Sequence, residues 1–204
     1  MKLGKMQYRG TIAVDIDGVL ANFEKKFCED FGYENRDLYS LEARYPELDP
    51  ALIKEYVNNP DNYVDLEPIF GGLLFCRQAH QRGWYILLVT SRNPSLADVT
   101  RQWLAKYGAV YHELMFAKDK REAIYDWEEI EIWDCKKPPV SIVVDDSVSV
   151  LESMPEKYCV AWDSEWNYGY YPRMYYATLE MKLMLEISEW KVVGAWDKVG
   201  KYEY

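Results

Sequence analysis

An alternation of strand-like and helix-like segments predicts an α/β fold, a parallel sheet with helices on both faces. Two observations carry this expectation, and a third marks its one interruption. Two apolar runs rich in β-branched residues, TIAVDID (Thr11 to Asp17) and VSIVVDD (Val140 to Asp146), read as buried strands, and each ends in acid. Between and after them the periodicity switches repeatedly between strand and helix, the pattern of a parallel sheet with crossover helices. The stretch 21–69 breaks that alternation by being helical, aromatic and strand-poor.

The elements follow in order. Thr11 to Asp17 is the first strand, and Asp17-Gly18 turns the chain. Phe23, Phe27 and Phe31 recur every four residues, so Asn22 to Gly32 reads as a helix stopped by glycine. Asp49-Pro50 is an N-cap followed by proline at the first helical position, starting a helix that runs to about Asn58. Gly71-Gly72 reads as a boundary before a helix over Leu73 to Arg82, which Gly83 stops. Trp84 to Thr90 is a strand. Ser95 and Asp98 form a capping box for a helix ending at Tyr107-Gly108. Short strands are expected at Glu113 to Phe116 and Tyr158 to Trp162. Beyond Asp163 the chain is dense in Trp and Tyr, with a helix expected over Thr178 to Trp190 because Leu179, Leu183, Ile187 and Trp190 share one side.

With 204 residues, 49% hydrophobic and 28% charged, the chain is long enough for one domain, or one domain carrying an insertion, with a sizeable core. No run approaches the roughly 18 apolar residues of a membrane span. MKLGKMQYRG lacks the apolar centre of a signal peptide, which points to the cytoplasm. Four scattered cysteines with no C-x-x-C pair read as buried thiols. A balance of 24 basic to 34 acidic residues, net −10, argues against long-range attraction to extended nucleic acid. Two histidines leave little scope for imidazole chemistry, so carboxylates must carry any catalysis.

Four segments carry candidate chemistry, two of them by paired carboxylates. Asp15 and Asp17, two apart on a strand, address one spot while Val14 and Ile16 pack away from it. A calcium loop would need an oxygen ligand where Val19 stands. Thr90 and Ser91, at the end of a strand, offer hydroxyls and backbone N–H groups to a phosphate oxygen. Lys118 and Lys120 follow a short strand, where either can neutralise an anion. Asp145 and Asp146 end a strand, and open parallel sheets bind ligands outside the carboxyl ends of their strands. His80 and His112 read as structural.

DIDGVL, ILLVTS, a downstream lysine and VVDDS, in this order, resemble the four motifs of the haloacid dehalogenase superfamily of phosphohydrolases, over roughly residues 10–160. DIDGVLANF and VDLEPIFGG look like the 5'(3')-deoxyribonucleotidase branch. The resemblance implies a Rossmann-like core at 1–20 and 70–162 and a small helical cap at 21–69; the extension at 163–204, by its Trp and Tyr content alone, reads as packing on the core or forming a subunit interface in a homodimer. The resemblance further implies Mg²⁺-dependent hydrolysis of a small phosphorylated substrate, a (deoxy)nucleoside monophosphate, through an aspartyl-phosphate. Asp15 would be the nucleophile, Asp17 the acid/base, and Lys120 the charge-neutralising lysine, with Lys118 its competitor. Thr90, Ser91 and Lys120 would bind phosphate. Asp15, the Asp17 backbone carbonyl, Asp145 and Asp146 would form the metal site. Phe23, Tyr63 and Arg92 would contact substrate, with Phe23 stacking on a base. The alternative relative is the 3'-phosphatase domain of polynucleotide kinases, acting on nucleic-acid ends, which shares these motifs and a Ser-Arg loop. The long segment between Lys120 and Asp145, and the aromatic extension, have no counterpart in the family pattern.

Overall fold

A computed structural model describes residues 8–34, 41–129, 131–132, 135–154 and 157–162. The extension from Asp163, with the helix expected over Thr178 to Trp190, lies outside the described residues. The chain runs β1 (Thr11–Val14), α1 (Phe23–Phe31), α2 (Leu41–Arg44), α3 (Pro50–Asn58), a 3-10 turn at Pro60–Tyr63, and α4 (Phe70–Gln81). It continues with β2 (Tyr85–Thr90), a 3-10 turn at Pro94–Leu96, α5 (Ala97–Lys106), β3 (Glu113–Phe116) and α6 (Lys120–Glu129). A two-residue antiparallel pair follows, β4 (Glu131–Ile132) with β5 (Cys135–Lys136), and then β6 (Val140–Asp145), α7 (Val148–Glu152) and β7 (Tyr158–Ala161).

Five strands form one sheet in the order β3-β2-β1-β6-β7, every pairing parallel. Side chains alternate across it and divide the core in two. Ile12, Val14, Ile86, Leu88, Ile142 and Val144 face α4 and α5, where Phe75, Cys76, Trp103 and Leu104 are buried. Ala13, Leu87, Val89 and Val143 face α6 and α7, against Ile124, Trp127, Leu151 and Met154. Strands covered on both faces must be apolar throughout, which is why TIAV, YILLVT and VSIVVD carry so few polar residues.

Residues 21–69 form no strand among those described, only isolated bridges, and they have a core of their own. Phe27, Cys28, Tyr45 and Ile53 are its buried members, edged by Phe31 and Tyr56. Glu24 of α1 and Arg44 of α2 form a buried ion pair there. The segment leaves and rejoins the sheet-bearing part at one place. Asn22 N–H donates to Glu67 O (2.9 Å), Ile69 N–H donates to Leu20 O (2.7 Å), and Ala21 bridges Pro68.

Several boundaries differ from expectation, each for a local reason. The β1 ladder stops at Val14 rather than Asp17, because the Ile16 carbonyl accepts N–H groups from Val19, Leu20 and Ala21 and coils the chain. Helix α4 begins at Phe70 and so contains Gly71-Gly72. Gly72 is a contact residue, since a Cβ there would lie 2.0 Å from the Val19 carbonyl oxygen. The Ser95/Asp98 capping box does not form. Asn93 Oδ1 accepts from Ser95 N–H (3.0 Å) and caps the preceding 3-10 turn, while Asp98 pairs with Arg101 on the surface. Helix α6 was not expected. Its start is fixed by Asp119, whose Oδ1 accepts from Glu122 N–H (3.0 Å), and its inward residues are Ile124 and Trp127. Cys28 and Cys76 are buried free thiols, and burial pushes Cys76 up to about 12; Cys159, expected buried, is half-buried. No helix among the described residues is long and apolar enough to cross a membrane.

Candidate active site

From β1 the chain moves outward to β2 and β3 on one side, then returns to β6 and β7 on the other, so the strand order reverses between β1 and β6. A crevice opens at such a reversal, at the carboxyl ends of the strands. Asp15 follows β1 directly, its N–H still donating to Val144 O at 2.9 Å, and Asp145 ends β6. Carboxylate oxygens of Asp15, Asp145 and Asp146 all lie within 4.8 Å of one another, and all three residues are buried. Lys120, the first residue of α6, enters the crevice from the other side. Its Nζ lies 2.9 Å from Asp15 Oδ2 and donates to Asp145 Oδ2 at 2.7 Å. Backbone N–H groups orient both acids. Ile16 N–H donates to Asp15 Oδ1 (2.7 Å) and Ser147 N–H to Asp145 Oδ1 (2.9 Å). Of the two lysines in KDK, Lys120 reaches the carboxylates and Lys118 stays exposed at the surface.

Burying this much charge has predictable consequences. Burial pushes the Asp15 carboxyl up to about 7, with Asp145 and Asp17 adding to the effect and Lys120 opposing it. Asp146 is likewise raised, by burial and then by Asp145 and Asp15. Lys120 is held above its usual range, because the attraction of Asp15 and Asp145 outweighs the burial that works against its charge. Three clustered carboxylates with no nitrogen or sulfur donor among them form the set that suits a hard divalent cation. Asp15, Asp145 and Asp146 therefore fit such an ion.

Asp17 belongs to a different arrangement. Gly18 (φ 80°) turns the chain where a Cβ would lie 2.2 Å from Asp146 Oδ2, so glycine is required by conformation and by space. Beyond β1, the Asp17 carboxylate meets Arg92, whose Nε donates to Oδ2 (2.8 Å) and Nη2 to Oδ1 (2.6 Å). Thr90 is buried at the end of β2, and its Oγ1 accepts from Arg92 N–H at 3.3 Å. Ser91 is exposed.

A cavity of about 520 Å³ opens beside Asp17, with Phe23, Asn58, Ser91, Phe116 and Lys118 among its lining residues. Phe23 is half-buried at its edge. Tyr63 and Arg92, expected to contact substrate, have other partners. The Tyr63 ring is stacked on Phe23 (centroids 5.1 Å apart, planes 17°) and the Arg92 guanidinium lies 4.5 Å from its centroid. Both residues line the cavity, and the Tyr63 ring is 3% exposed. Arg92 is spent on Asp17 and on Thr100, to which Nη1 donates at 3.1 Å. Two orienting residues escaped the sequence reading. Ser147 is visible only as the residue after the Asp-Asp pair, and Thr100 leaves no signal, lying in mid-helix.

No protein-family model matches the sequence, and no curated protein matches it either. Similar solved structures include a chain of the Pnkp1/Rnl/Hen1 complex (17% identity, TM-score 0.48), for which the match covers 76% of this chain and 46% of that one. This chain thus spans about half the length of that relative. An L-2-haloacid dehalogenase matches at 15% identity and TM-score 0.47, covering 78% of this chain and 88% of its own. The class C acid phosphatase from Bacillus anthracis matches at 12% identity and TM-score 0.49, covering 91% and 81%.

Proposed function

We propose that this chain is a Mg²⁺-dependent phosphomonoesterase of the haloacid dehalogenase type, acting through an aspartyl-phosphate on Asp15, with a (deoxy)nucleoside monophosphate as substrate. One observation carries the reading. Asp15 is clustered with Asp145, Asp146 and Lys120 at the strand-order reversal, and Asp17 stands beside it on the wall of a cavity.

Hydrolysis of a phosphate monoester without a catalyst is extremely slow, with enzymatic accelerations reaching about 10²¹, so charge stabilisation must be large. A divalent cation held by Asp15, Asp145 and Asp146, with the Asp17 backbone carbonyl, would supply positive charge that keeps Asp15 ionised and offsets its repulsion from phosphate. The Asp15 carboxylate attacks phosphorus in line with the ester oxygen; the new O–P bond forms as the ester P–O bond breaks. Asp17, on the cavity side, gives its proton to the departing alkoxide. It then takes a proton from water, whose oxygen attacks phosphorus and releases inorganic phosphate and the Asp15 carboxylate. Lys120 and the Thr90-Ser91 turn hold the non-bridging oxygens, where charge accumulates.

The cavity supports the substrate class. Its volume of about 520 Å³ suits a nucleoside, and Phe23 and Phe116 offer apolar rings, while Asn58 and Ser91 offer polar groups. A track for extended nucleic acid would need a row of cations, and of the lining residues only Lys118 and Arg92 are basic, the latter committed to Asp17. The test is turnover of nucleoside monophosphates, glycerol phosphate and a 3'-phosphorylated oligonucleotide, each with Mg²⁺ and with EDTA. The expected outcome is Mg²⁺-dependent release of phosphate, fastest from a nucleoside monophosphate. Preference for the oligonucleotide would transfer the reading to nucleic-acid ends, and absence of turnover on every ester would refute it.

A further inference from the structure

The pairing of Asp17 with Arg92 has a geometry that a chance surface ion pair lacks. Arg92 presents two parallel N–H groups to the two carboxylate oxygens, at 2.6 and 2.8 Å, the fork that fixes a carboxyl group in plane as well as in position. Each carboxylate oxygen has a second lone pair, so both remain free to exchange a proton on the side away from the fork. The burial of the pair is lopsided: the Arg92 side chain is 1% exposed and that of Asp17 29%, on the cavity wall. Arg92 is itself held from three directions, by Thr90 Oγ1 at its backbone, by Thr100 Oγ1 at Nη1, and by the Tyr63 ring 4.5 Å from its guanidinium carbon.

Tyr63 belongs to residues 21–69, and its Oη donates to Val57 O at 2.7 Å, tying the ring to the end of α3. A second tie runs alongside, from Asn93 Nδ2 to Asn58 Oδ1 at 2.9 Å. Arg92, which holds Asp17 from the β2 loop, thus also touches the helical segment, and its neighbour Asn93 adds the second tie.

We propose that Arg92 is the positioning residue for Asp17, and that Tyr63 holds Arg92 in register, so that docking of the helical segment sets the aim of the proton donor at the leaving group. The inference rests on the reading of Asp17 as acid/base above. It assigns Arg92 and Tyr63 to orienting a catalytic residue and takes both away from substrate contact. A cation engaged on Asp17 and Thr100 is not available to phosphate, and a ring stacked on Phe23 is not available to a base.

The experiment compares two esters of similar size that differ in their demand for protonation, 4-nitrophenyl phosphate and benzyl phosphate, in wild type, Arg92→Met, Arg92→Lys, Tyr63→Leu, Asp17→Asn and the double variant Asp17→Asn/Arg92→Met. A positioned general acid contributes about 10²- to 10⁴-fold, chiefly to poor leaving groups. Arg92→Met should therefore lower kcat on benzyl phosphate by about 100-fold or more and on 4-nitrophenyl phosphate by less than about 10-fold, with Tyr63→Leu shifting the ratio in the same direction. In the Asp17→Asn background, Arg92→Met should cost nothing further on benzyl phosphate, because a residue that acts through another loses its effect when that other is gone. Arg92→Lys keeps the charge and the fold but loses the fork, and should retain most of the benzyl-specific loss. Proportional losses on the two esters, additive losses in the double variant, or full recovery with lysine would each overturn the proposal while leaving the site reading intact. A wild-type protein inactive on both esters with Mg²⁺ would overturn the site reading and this inference with it.

Discussion

At Asp15 three kinds of pressure meet: removal from water, two neighbouring carboxylates, and a single lysine opposite. The first two outweigh the third, which is why the carboxyl is pushed up from 3.8 to about 7 in the metal-free chain. A raised carboxyl binds a proton in the folded state at pH values where the unfolded chain has lost it. Stability should therefore fall as pH rises from about 4 to about 7, and the loss is complete above that window. Once ionised, such a group costs the fold up to about 4 kcal/mol. The metal-free Asp15→Asn variant should accordingly melt several degrees above wild type at pH 8 and no higher at pH 4, and Mg²⁺ at pH 8 should raise the wild type but not the variant. Melting curves across pH with and without Mg²⁺ check this. That Asp15, Asp17, Asp145 and Asp146 gather at one edge of the sheet was legible in the sequence because each ends or follows a strand, whereas strand ends alone left Lys118 and Lys120 open and the fold brings Lys120 to the carboxylates. The partners of Asp17 were not legible, since a bond between residues 17 and 92 has no local signature.

Elements were legible where their ends carry strong chemistry. Asn22 and Gly32 bound α1, and Asp49-Pro50 starts α3, as their capping groups require. Where a residue serves a distant contact, local rules misread it. Gly71-Gly72 looks like a break, yet Gly72 lies within α4 so that the helix can approach the carbonyl of Val19, the residue next to the Gly18 bend that packs against Asp146. Gly72→Ala should improve helix propensity and still destabilise the protein, by about 1–3 kcal/mol, because the added methyl meets backbone that must shift. Denaturant unfolding measures it, and a stabilised variant would show that the approach is slack. Helix α6 was missed because only Ile124 and Trp127 are fully apolar and inward within KREAIYDWEE, too few to raise a helical periodicity by eye.

At the scale of the molecule, the parallel direction of the strands, though not their order, was implicit in two facts, that the apolar runs are unbroken and that helices separate them. Together these forced a parallel sheet and sent every strand's carboxyl end to one rim. The sequence could not say how residues 21–69 lie over that rim, because their contact with it is made by scattered side chains, Asn58 and Tyr63 among them. Their ring Phe23 edges the cavity, and stacking of a base on an aromatic side chain is worth about 1–3 kcal/mol. Phe23→Ala should lower kcat/KM for a nucleoside monophosphate by about 5- to 150-fold and leave glycerol phosphate within about 2-fold, the difference being the base. Equal losses on both would make Phe23 a packing residue only. The central claim is that Asp15 itself takes the phosphoryl group, and rapid acid quenching during turnover, followed by peptide mass spectrometry, tests it most directly. The expected result is a phosphoryl group on the peptide containing Asp15 in wild type, absent in Asp15→Asn, which also loses turnover; full turnover in Asp15→Asn, or a phosphoryl group carried on another residue, would contradict it.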